Sequence, residues 1–458
     1  MKPLNFYHLT DLHYYANEVI GSYGEKYELK DMLDQKCMDK SGAIIDAAFR
    51  DVCEDKETDI VLISGDLTFD GEVQSHDALI EKLYALKEKG KRVFITFATH
   101  DFYMHARKYT DEGETELPKY TRAQLREKYA DFGYNEAIAE HKNSYSYCVQ
   151  LSDDVRLLAL NDDGDFDKFC GFYNDLLFWI KDQIEAAHEA GCEIFAMTHH
   201  PILEPSPVYP LFSHKAMLGG YEFTGPYLAN AGLEYIFVGH THIHDINSLT
   251  TDKGNTLYQV NTAALTAYPL AYRKIEFSDK GMDVKTVQVT EIDADTDGMS
   301  VLDYSKKHFT YMIELIFDSL ENDFDKFCLL AQGFSVDGEK LRKVESLLHK
   351  FGKMVNGLTF KKLCGFFGCG KYVDSSIADD KIVKFLCSAI VNMYSGNEVY
   401  SPDTPEYKAI IPVCQKLGKV IKIKDHSGNR VDIAKLVAGI ICDDGINDIE
   451  AFLPAKCK

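Results

Sequence analysis

The sequence of 458 residues lacks the features of membrane, secreted and fibrous proteins. No apolar run approaches the roughly 20 residues that a helix needs to span a bilayer. The N-terminal residues contain neither the apolar core nor the cleavage site of a secretory signal. Internal repeats and low-complexity segments are also missing. These absences predict a soluble, cytoplasmic, globular protein without a membrane partner.

The 12 cysteines form no dense framework and are scattered through apolar stretches. Only Cys364 and Cys369 lie close together, and the further ligands of a zinc knuckle are not found beside them. In a long cytosolic chain, such cysteines are expected to be reduced and buried.

Basic residues are few relative to acidic residues, with 50 against 72, and the net charge is −22. Residues 296–458 contain 22 acidic and 22 basic side chains, so the whole excess lies in residues 1–295. Because an acidic surface repels a phosphate backbone, nucleic acid is an unfavourable partner. The same charge suits a site that holds divalent cations.

The length predicts more than one domain, because single cores rarely grow this large. In residues 1–295, short β-branched or aromatic runs alternate with amphipathic stretches, which indicates a layered α/β domain. The predicted strands are residues 4–9, 60–64, 93–97, 155–160, 194–198, 235–238, 257–261, 273–277 and 284–289. The predicted helices are residues 41–55, 75–89 and 174–190.

A polar, turn-prone break at residues 293–298 marks a change of character. Beyond it, residues 301–320, 339–355, 379–394 and 407–417 have helical periodicity. We predict a catalytic domain at 1–295 and a separate, mainly helical accessory domain at 299–458. Substrate capping, dimerisation and partner docking are all compatible with the second domain.

Four short motifs follow predicted strands in the first domain. They are Asp11-Leu12-His13, Gly65-Asp66, His199-His200-Pro201 and Gly239-His240-Thr241-His242. In open α/β sheets, sites form at the carboxyl ends of strands, so these residues can converge. Imidazole and carboxylate ligands suit zinc, manganese and iron, and a carboxylate can bridge two ions. Two ions roughly 3.5–4 Å apart can clamp a phosphoryl displacement and activate a bridging hydroxide.

With Ala98-Thr99-His100-Asp101, these motifs resemble the ordered signature of the calcineurin-like metallophosphoesterase family over roughly residues 4–290. The resemblance implies a four-layer α/β/β/α sandwich. It implies that one metal is held by Asp11, His13 and His242, the other by His199 and His240, and that Asp66 bridges them. It further implies that His100 is the general acid and that Asp101 orients it.

One position departs from the family pattern. Thr99 replaces the asparagine that is a ligand of the second metal. Its hydroxyl is a shorter and weaker neutral ligand, so the second metal is expected to bind less tightly. Direct and water-mediated coordination by Thr99 both remain open.

The resemblance therefore implies hydrolysis of a small phosphoester or a phosphoprotein, with two divalent cations, manganese, iron or zinc being favoured. Monoester and diester substrates are both compatible with the motifs. The alternative from a different class is a catalytically weak or inactive scaffold that uses the fold to bind a protein partner. Oligomerisation through the C-terminal domain also remains open.

Overall fold

The computed structural model describes residues 1–21, 24–163, 170–332, 338–442 and 445–456. The strands in these ranges are β1 (Leu4–Leu9), β2 (Ile60–Ser64), β3 (Arg92–Thr96), β4 (Arg107–Thr110), β5 (Gly113–Glu116), β6 (Ala137–His141), β7 (Ser146–Ser152), β8 (Val155–Ala159), β9 (Glu193–Met197), β10 (Tyr235–Val238), β11 (Asp245–Thr250), β12 (Thr256–Asn261), β13 (Ala271–Ser278), β14 (Gly281–Gln288) and β15 (Glu450–Pro454).

The α-helices in the same ranges are α1 (Glu25–Met32), α2 (Ser41–Glu54), α3 (Val73–Glu88), α4 (Thr99–Phe102), α5 (Arg122–Lys128), α6 (Asn174–Glu189), α7 (Tyr221–Ala231), α8 (Val301–Asn322), α9 (Phe324–Gln332), α10 (Gly338–Arg342), α11 (Glu345–Gly357), α12 (Phe360–Phe366), α13 (Ile382–Ser395), α14 (Pro405–Val420) and α15 (Ile433–Ile441).

Two mixed sheets form the centre of the catalytic region. Within the described residues, the first sheet has the order β15-β14-β13-β1-β2-β3 and the second has the order β11-β12-β10-β9-β8-β7-β6. β1, β2 and β3 run parallel to one another. β8, β9, β10 and β12 also run parallel. Parallel neighbours end at the same edge of a sheet, which is where a site can be assembled.

The two sheets pack face to face through an aromatic core. Phe6 of β1 stacks on Phe195 of β9 with ring centroids 4.9 Å apart, and meets Phe237 of β10 edge-on at 5.4 Å. Because side chains alternate along a strand, Ile194 next to Phe195 packs on the opposite face, with helices α6 and α7. Helices α2 and α3 contribute to the core of the first sheet. The predicted four-layer sandwich is thus confirmed.

The chain beyond residue 298 is largely helical, as predicted. The Ser300 side chain caps α8 by accepting the backbone N–H of Asp303, and Pro405 occupies the first turn of α14. Phe309 of α8 and Tyr394 of α13 join the apolar cluster that includes the outer face of the second sheet. None of the helices in the described ranges combines the length and apolar character needed to cross a bilayer.

The last described strand belongs to the first sheet rather than to the helices. β15 pairs antiparallel with β14 and forms the edge of the sheet that contains β1. The C-terminal segment therefore returns to the catalytic region after the helices. A division of the chain near residue 295 stays a prediction.

Candidate metal centre

The ends of four strands bring the predicted metal ligands together where the two sheets meet. In the first sheet, β1 leads to Asp11 and His13, and β2 leads to Asp66. In the second sheet, β9 leads to His199, and β10 leads to His240 and His242. Among four groups of described residues whose potential ligand atoms lie within 4.8 Å of one another, two consist of predicted metal ligands alone, namely Asp11 with His13 and His242, and Asp66 with His199 and His240. These are the two sets that the motifs predict.

The first group surrounds a buried carboxylate oxygen. Asp11 Oδ1 has no hydrogen-bond partner among the described residues. The Nε2 atoms of His242, His13 and His199 lie 3.1, 3.5 and 3.9 Å from it. A buried carboxylate oxygen requires a cation or a donor to offset its desolvation. The oxygen and nitrogen donors therefore fit a divalent cation.

Asp66 belongs to the second group and also approaches the first. Its Oδ2 is 3.1 Å from His199 Nε2 and 3.8 Å from His13 Nε2. Its Oδ1 accepts the backbone N–H of His100 at 3.0 Å. The position favours the bridging role, which stays a prediction.

The electrostatics of the groups favour metal binding. Burial opposes ionisation of Asp11, but the charges of His199 and His242 outweigh burial and hold the pKa of the carboxyl well below its usual range. The charge of His199 has the same effect on the pKa of Asp66. Burial, reinforced by neighbouring imidazoles, lowers the pKa of His240. The ionised carboxylates and the neutral His240 are forms that bind metal. Burial lowers the pKa of His199, but Asp66 and Asp11 outweigh burial and raise that pKa, so a metal must displace the His199 proton.

The ligand loops are held in an uncommon backbone conformation. Positive φ angles of 50°, 42°, 49°, 66° and 57° occur at Asp11, His13, Asp66, His240 and His242. Each such angle in a non-glycine residue costs on the order of 1–3 kcal/mol and persists where the surroundings enforce it. Two backbone hydrogen bonds hold the loops in this conformation. Asp11 N–H donates to Gly65 O at 3.1 Å, and His13 N–H donates to Asp66 O at 3.0 Å.

The glycines of two motifs permit close approach of these loops. A Cβ at Gly65, whose φ is +86°, would lie 2.8 Å from the Cβ of Ala98 and 2.9 Å from His199 Nδ1. A Cβ at Gly239 would overlap the Thr10 hydroxyl and the Asp11 carboxylate. The motif glycines are thus required by the packing of the ligands themselves.

His100 lies at the partly exposed edge of the centre, with its ring edge-on to that of His13 at 4.7 Å. Its Nδ1 donates to Phe69 O at 2.5 Å and lies 2.9 Å from Asp70 Oδ1. Burial lowers the pKa of His100, but the charge of Asp66 and the hydrogen bond to Asp70 outweigh it and raise the pKa. The arrangement favours an imidazolium ion.

The structure gives the Asp101 side chain partners other than the His100 ring, so the orienting role of Asp101 stays a prediction. The Asp101 carboxylate accepts the backbone N–H groups of Leu67 at 2.8 Å, Thr68 at 3.1 Å and Ala98 at 2.8 Å. It therefore joins the loop after β2 to the loop after β3. Asp70 makes the contact with His100 instead. The sequence signal for it was an acidic residue four positions after Asp66, in the same strand-end loop.

These contacts predict different consequences for two substitutions. Asp70→Asn should lower kcat for an alkyl phosphate by about 10–100-fold, which is the usual effect of removing a hydrogen-bond partner that orients a site residue. The midpoint of its thermal unfolding should change little. Asp101→Asn should mainly lower the midpoint of thermal unfolding, because it weakens bonds to backbone donors. Steady-state kinetics and thermal unfolding check both variants. If Asp101→Asn instead lowered kcat and Asp70→Asn mainly lowered thermal stability, Asp101 would be the partner of His100.

A further buried carboxylate organises the His199-His200 turn. Asp162 Oδ2 accepts the backbone N–H of His199 at 3.2 Å and of His200 at 2.7 Å, while Oδ1 lies 2.9 Å from His200 Nδ1. His199 Nδ1 donates to Ser64 O at 2.8 Å, which leaves Nε2 for a metal. Asp162 and Ser64 thus orient a predicted ligand, as such partners commonly do.

Thr99 is buried at the start of α4, immediately before His100. The backbone N–H of the next residue, His100, donates to Asp66 Oδ1, so Thr99 directly precedes a residue that contacts this carboxylate. Its coordination of a metal stays a prediction.

The family described as Calcineurin-like phosphoesterase matches residues 4–244, which is more than half of the chain. The chain belongs to this family. The resemblance inferred from the motifs is thereby confirmed, and the matched range ends before the C-terminal helices.

No curated protein matches the sequence. Solved structures that resemble it include a dimetal phosphatase from Danio rerio, which is 13% identical with a TM-score of 0.45 over 63% of this chain and 97% of that chain. The purple acid phosphatase PPD1 from yellow lupin is 11% identical with a TM-score of 0.41, over 63% of this chain and 52% of that chain.

Proposed function

We propose that this family member hydrolyses phosphomonoesters or phosphodiesters with two divalent cations bound at the candidate metal centre. The observation that carries the proposal is that Asp66 belongs to one of two groups of carboxylate and imidazole donors and also approaches the other. The substrate is a small phosphoester or a phosphoprotein.

The ligands divide between two cations. Asp11, His13 and His242 would hold one, whereas His199, His240 and Thr99 would hold the other, with Asp66 available to both. Manganese, iron and zinc match these oxygen and nitrogen donors. When bound, such a pair supplies charge stabilisation for the phosphoryl group and lowers the pKa of water so that hydroxide is available.

His100 supplies the proton for the leaving oxygen. Its Nδ1–H is directed toward Phe69 O and Asp70 Oδ1, so the second proton of the imidazolium ion is on Nε2. Nε2 is therefore the atom that donates to the leaving alcohol. Asp70 keeps the ring oriented and favours the protonated form before the reaction.

Metal removal tests the proposal. Protein treated with a chelator should lose hydrolysis of nitrophenyl phosphate and bis(nitrophenyl) phosphate, and added Mn²⁺ should restore it. Elemental analysis of the restored protein should show two ions per chain. A metal-loaded protein without activity on either ester or on propyl phosphate would favour the scaffold alternative.

The replacement of asparagine by Thr99 predicts stepwise metal binding. The second ion should bind more weakly than the first, because a threonine hydroxyl is a shorter and weaker donor than an amide oxygen. Thr99→Asn should tighten the second site if the loop at Ala98 accommodates the amide. Calorimetric titration of metal-free protein measures both affinities. Two equally tight sites that the substitution leaves unchanged would contradict this explanation.

A further inference from the structure

One face of α11 presents a stripe of exposed apolar side chains. Val344 precedes the helix, and Leu347, Phe351 and Met354 follow at intervals of three, four and three residues, which places all four on one face. Their side chains are 44–68% exposed. A surface helix normally turns such a face toward the core, so this stripe indicates a contact with something outside the chain.

A different face of α11 makes the contacts with the core. A Cβ at Gly352 would lie 2.9 Å from the carbonyl carbon of Leu320 in α8, and Val355 is buried. Asn356 donates to Phe317 O of α8 at 3.0 Å. These contacts fix the helix against α8, and they leave the stripe directed outward.

The region around the stripe is basic, in contrast to the rest of the chain. Residues 338–372, which contain α10, α11 and α12, have eight lysine or arginine residues and two glutamates. Their net charge is therefore +6, whereas the whole chain has a net charge of −22. Arg342 pairs with Asp325 of α9 at 2.7 Å, which balances one of these positive charges. The remaining excess is still positive.

Exposed lysines border the stripe. Lys350 lies three residues after Leu347 and four before Met354, and Lys343 lies four before Leu347, so these side chains are neighbours on the helix surface. No carboxylate within the described residues forms an ion pair with Lys343 or Lys350. Lysine side chains can extend along an apolar face and hold their charge at its edge. The stripe and these two lysines are called the α11 surface below.

We propose that the α11 surface binds an anionic lipid bilayer, with the stripe among the outer acyl chains and the lysines among the headgroups. Such a bilayer has an apolar phase directly behind a layer of negative charge, and the α11 surface offers the complement of both. A helix that lies in the plane of the bilayer needs one apolar face, not the long apolar run that a spanning helix requires. The acidic remainder of the chain is repelled by the same lipids, which orients the molecule with α11 toward them.

Two other occupants match the α11 surface less well. A second copy docked through the same face would bring Lys343 and Lys350 of both chains together, and like charges that face each other weaken an interface. A nucleic acid offers phosphates but no apolar layer for the stripe. Only the anionic bilayer among these three satisfies both the charge and the apolar side chains.

Flotation of the full-length protein with lipid vesicles tests the proposal. At low salt, the protein should float with vesicles of phosphatidylcholine and phosphatidylserine, but not with vesicles of phosphatidylcholine alone. Added salt should weaken the binding, because it screens the lysines. Absence of binding to the anionic vesicles at low salt, or equal binding to both kinds of vesicle, would overturn the proposal.

Two substitutions locate the contact. Phe351→Gln should weaken binding to the anionic vesicles about tenfold, because the ring no longer transfers from water to lipid. Lys350→Gln should weaken it about fivefold, the contribution of one basic residue near an anionic surface. Phe178→Gln and Lys89→Gln are the matched controls, because both alter exposed residues of the catalytic region, and they should bind as the native protein does. Native binding by either α11 variant would contradict the proposal.

Phe351→Trp distinguishes insertion from adsorption and from misfolding. The chain has one tryptophan, Trp179, so the difference between the variant and native emission spectra reports position 351. With anionic vesicles, this emission should shift to shorter wavelength and be quenched by lipids brominated on the acyl chains, while the affinity stays close to native. Emission that neither shifts nor is quenched would contradict insertion and overturn the proposal.

Light scattering gives the outcome expected of a protein interface instead. If the native protein is a dimer that Phe351→Gln dissociates, and the anionic vesicles do not bind, the α11 surface joins two copies of the chain and the bilayer proposal is wrong. A monomer that floats with anionic vesicles supports the bilayer. Neither result depends on phosphoesterase activity.

Discussion

Asp66→Asn is expected to lower hydrolysis about a thousandfold and to release one of the two cations, because a metal pair contributes several kcal/mol to phosphoryl transfer. Asp66 Oδ2 lies near His199 of one group and His13 of the other. An asparagine cannot offer two anionic oxygens, and its amide N–H₂ would face a cation or a neighbouring donor. The shared position makes this the most damaging single substitution at the centre.

The test measures metal content by elemental analysis and kcat/KM on nitrophenyl phosphate. Asp55→Asn is a suitable control, because Asp55 is a carboxylate outside the centre that pairs with Lys274 at 2.8 Å and Tyr7 at 2.7 Å. The control should keep both ions and full activity. Two firmly bound ions and native activity in Asp66→Asn would show that the carboxylate does not bridge.

The strands that carry the ligands could be predicted because they are buried on both faces. β2 and β10 are buried at every position and read as continuous apolar runs, and their predicted limits agree with the structure. Each run ends at a glycine or polar residue, so the sequence places the motifs at strand ends. Their convergence follows from the parallel arrangement of the strands.

Of the strands that were not predicted, β6, β11 and β15 lie at sheet edges, whereas β7 lies inside the second sheet and is mostly buried. β6 has intermediate or exposed positions throughout, and β15 alternates between exposed and buried residues over only five positions. Short edge strands of this kind lack a continuous apolar run. β15 also follows a predominantly helical stretch, so local pattern could not indicate that it pairs with β14 more than 160 residues earlier.

The partner of His100 depends on loop conformation rather than on sequence proximity. Asp101 follows His100 directly, but adjacent residues in a helical turn do not face each other. The Asp101 carboxylate instead turns back to the backbone N–H of Ala98 at the start of α4. Asp70 reaches His100 from a different loop, a contact that only the folded chain reveals.

His100→Ala is expected to reduce hydrolysis of propyl phosphate by about 10²–10⁴-fold, the usual contribution of a positioned general acid. The loss with nitrophenyl phosphate should be much smaller, because nitrophenolate leaves without a proton. Metal content should be nearly unchanged, since the backbone N–H of His100 contacts Asp66 and alanine retains that group. Kinetics on both esters and elemental analysis provide the three readouts.

The comparison of leaving groups separates acid catalysis from other roles of His100. Potential ligand atoms of His13, Asp66 and His100 also lie within 4.8 Å of one another. If His100 were a metal ligand, His100→Ala would lose metal and would slow both esters to a similar degree. His105→Ala is the control, because it removes an exposed imidazole from the following loop. This variant should match the native protein in metal content and in the hydrolysis of both esters. A loss confined to the alkyl ester, with both ions retained, identifies the imidazole as the proton donor.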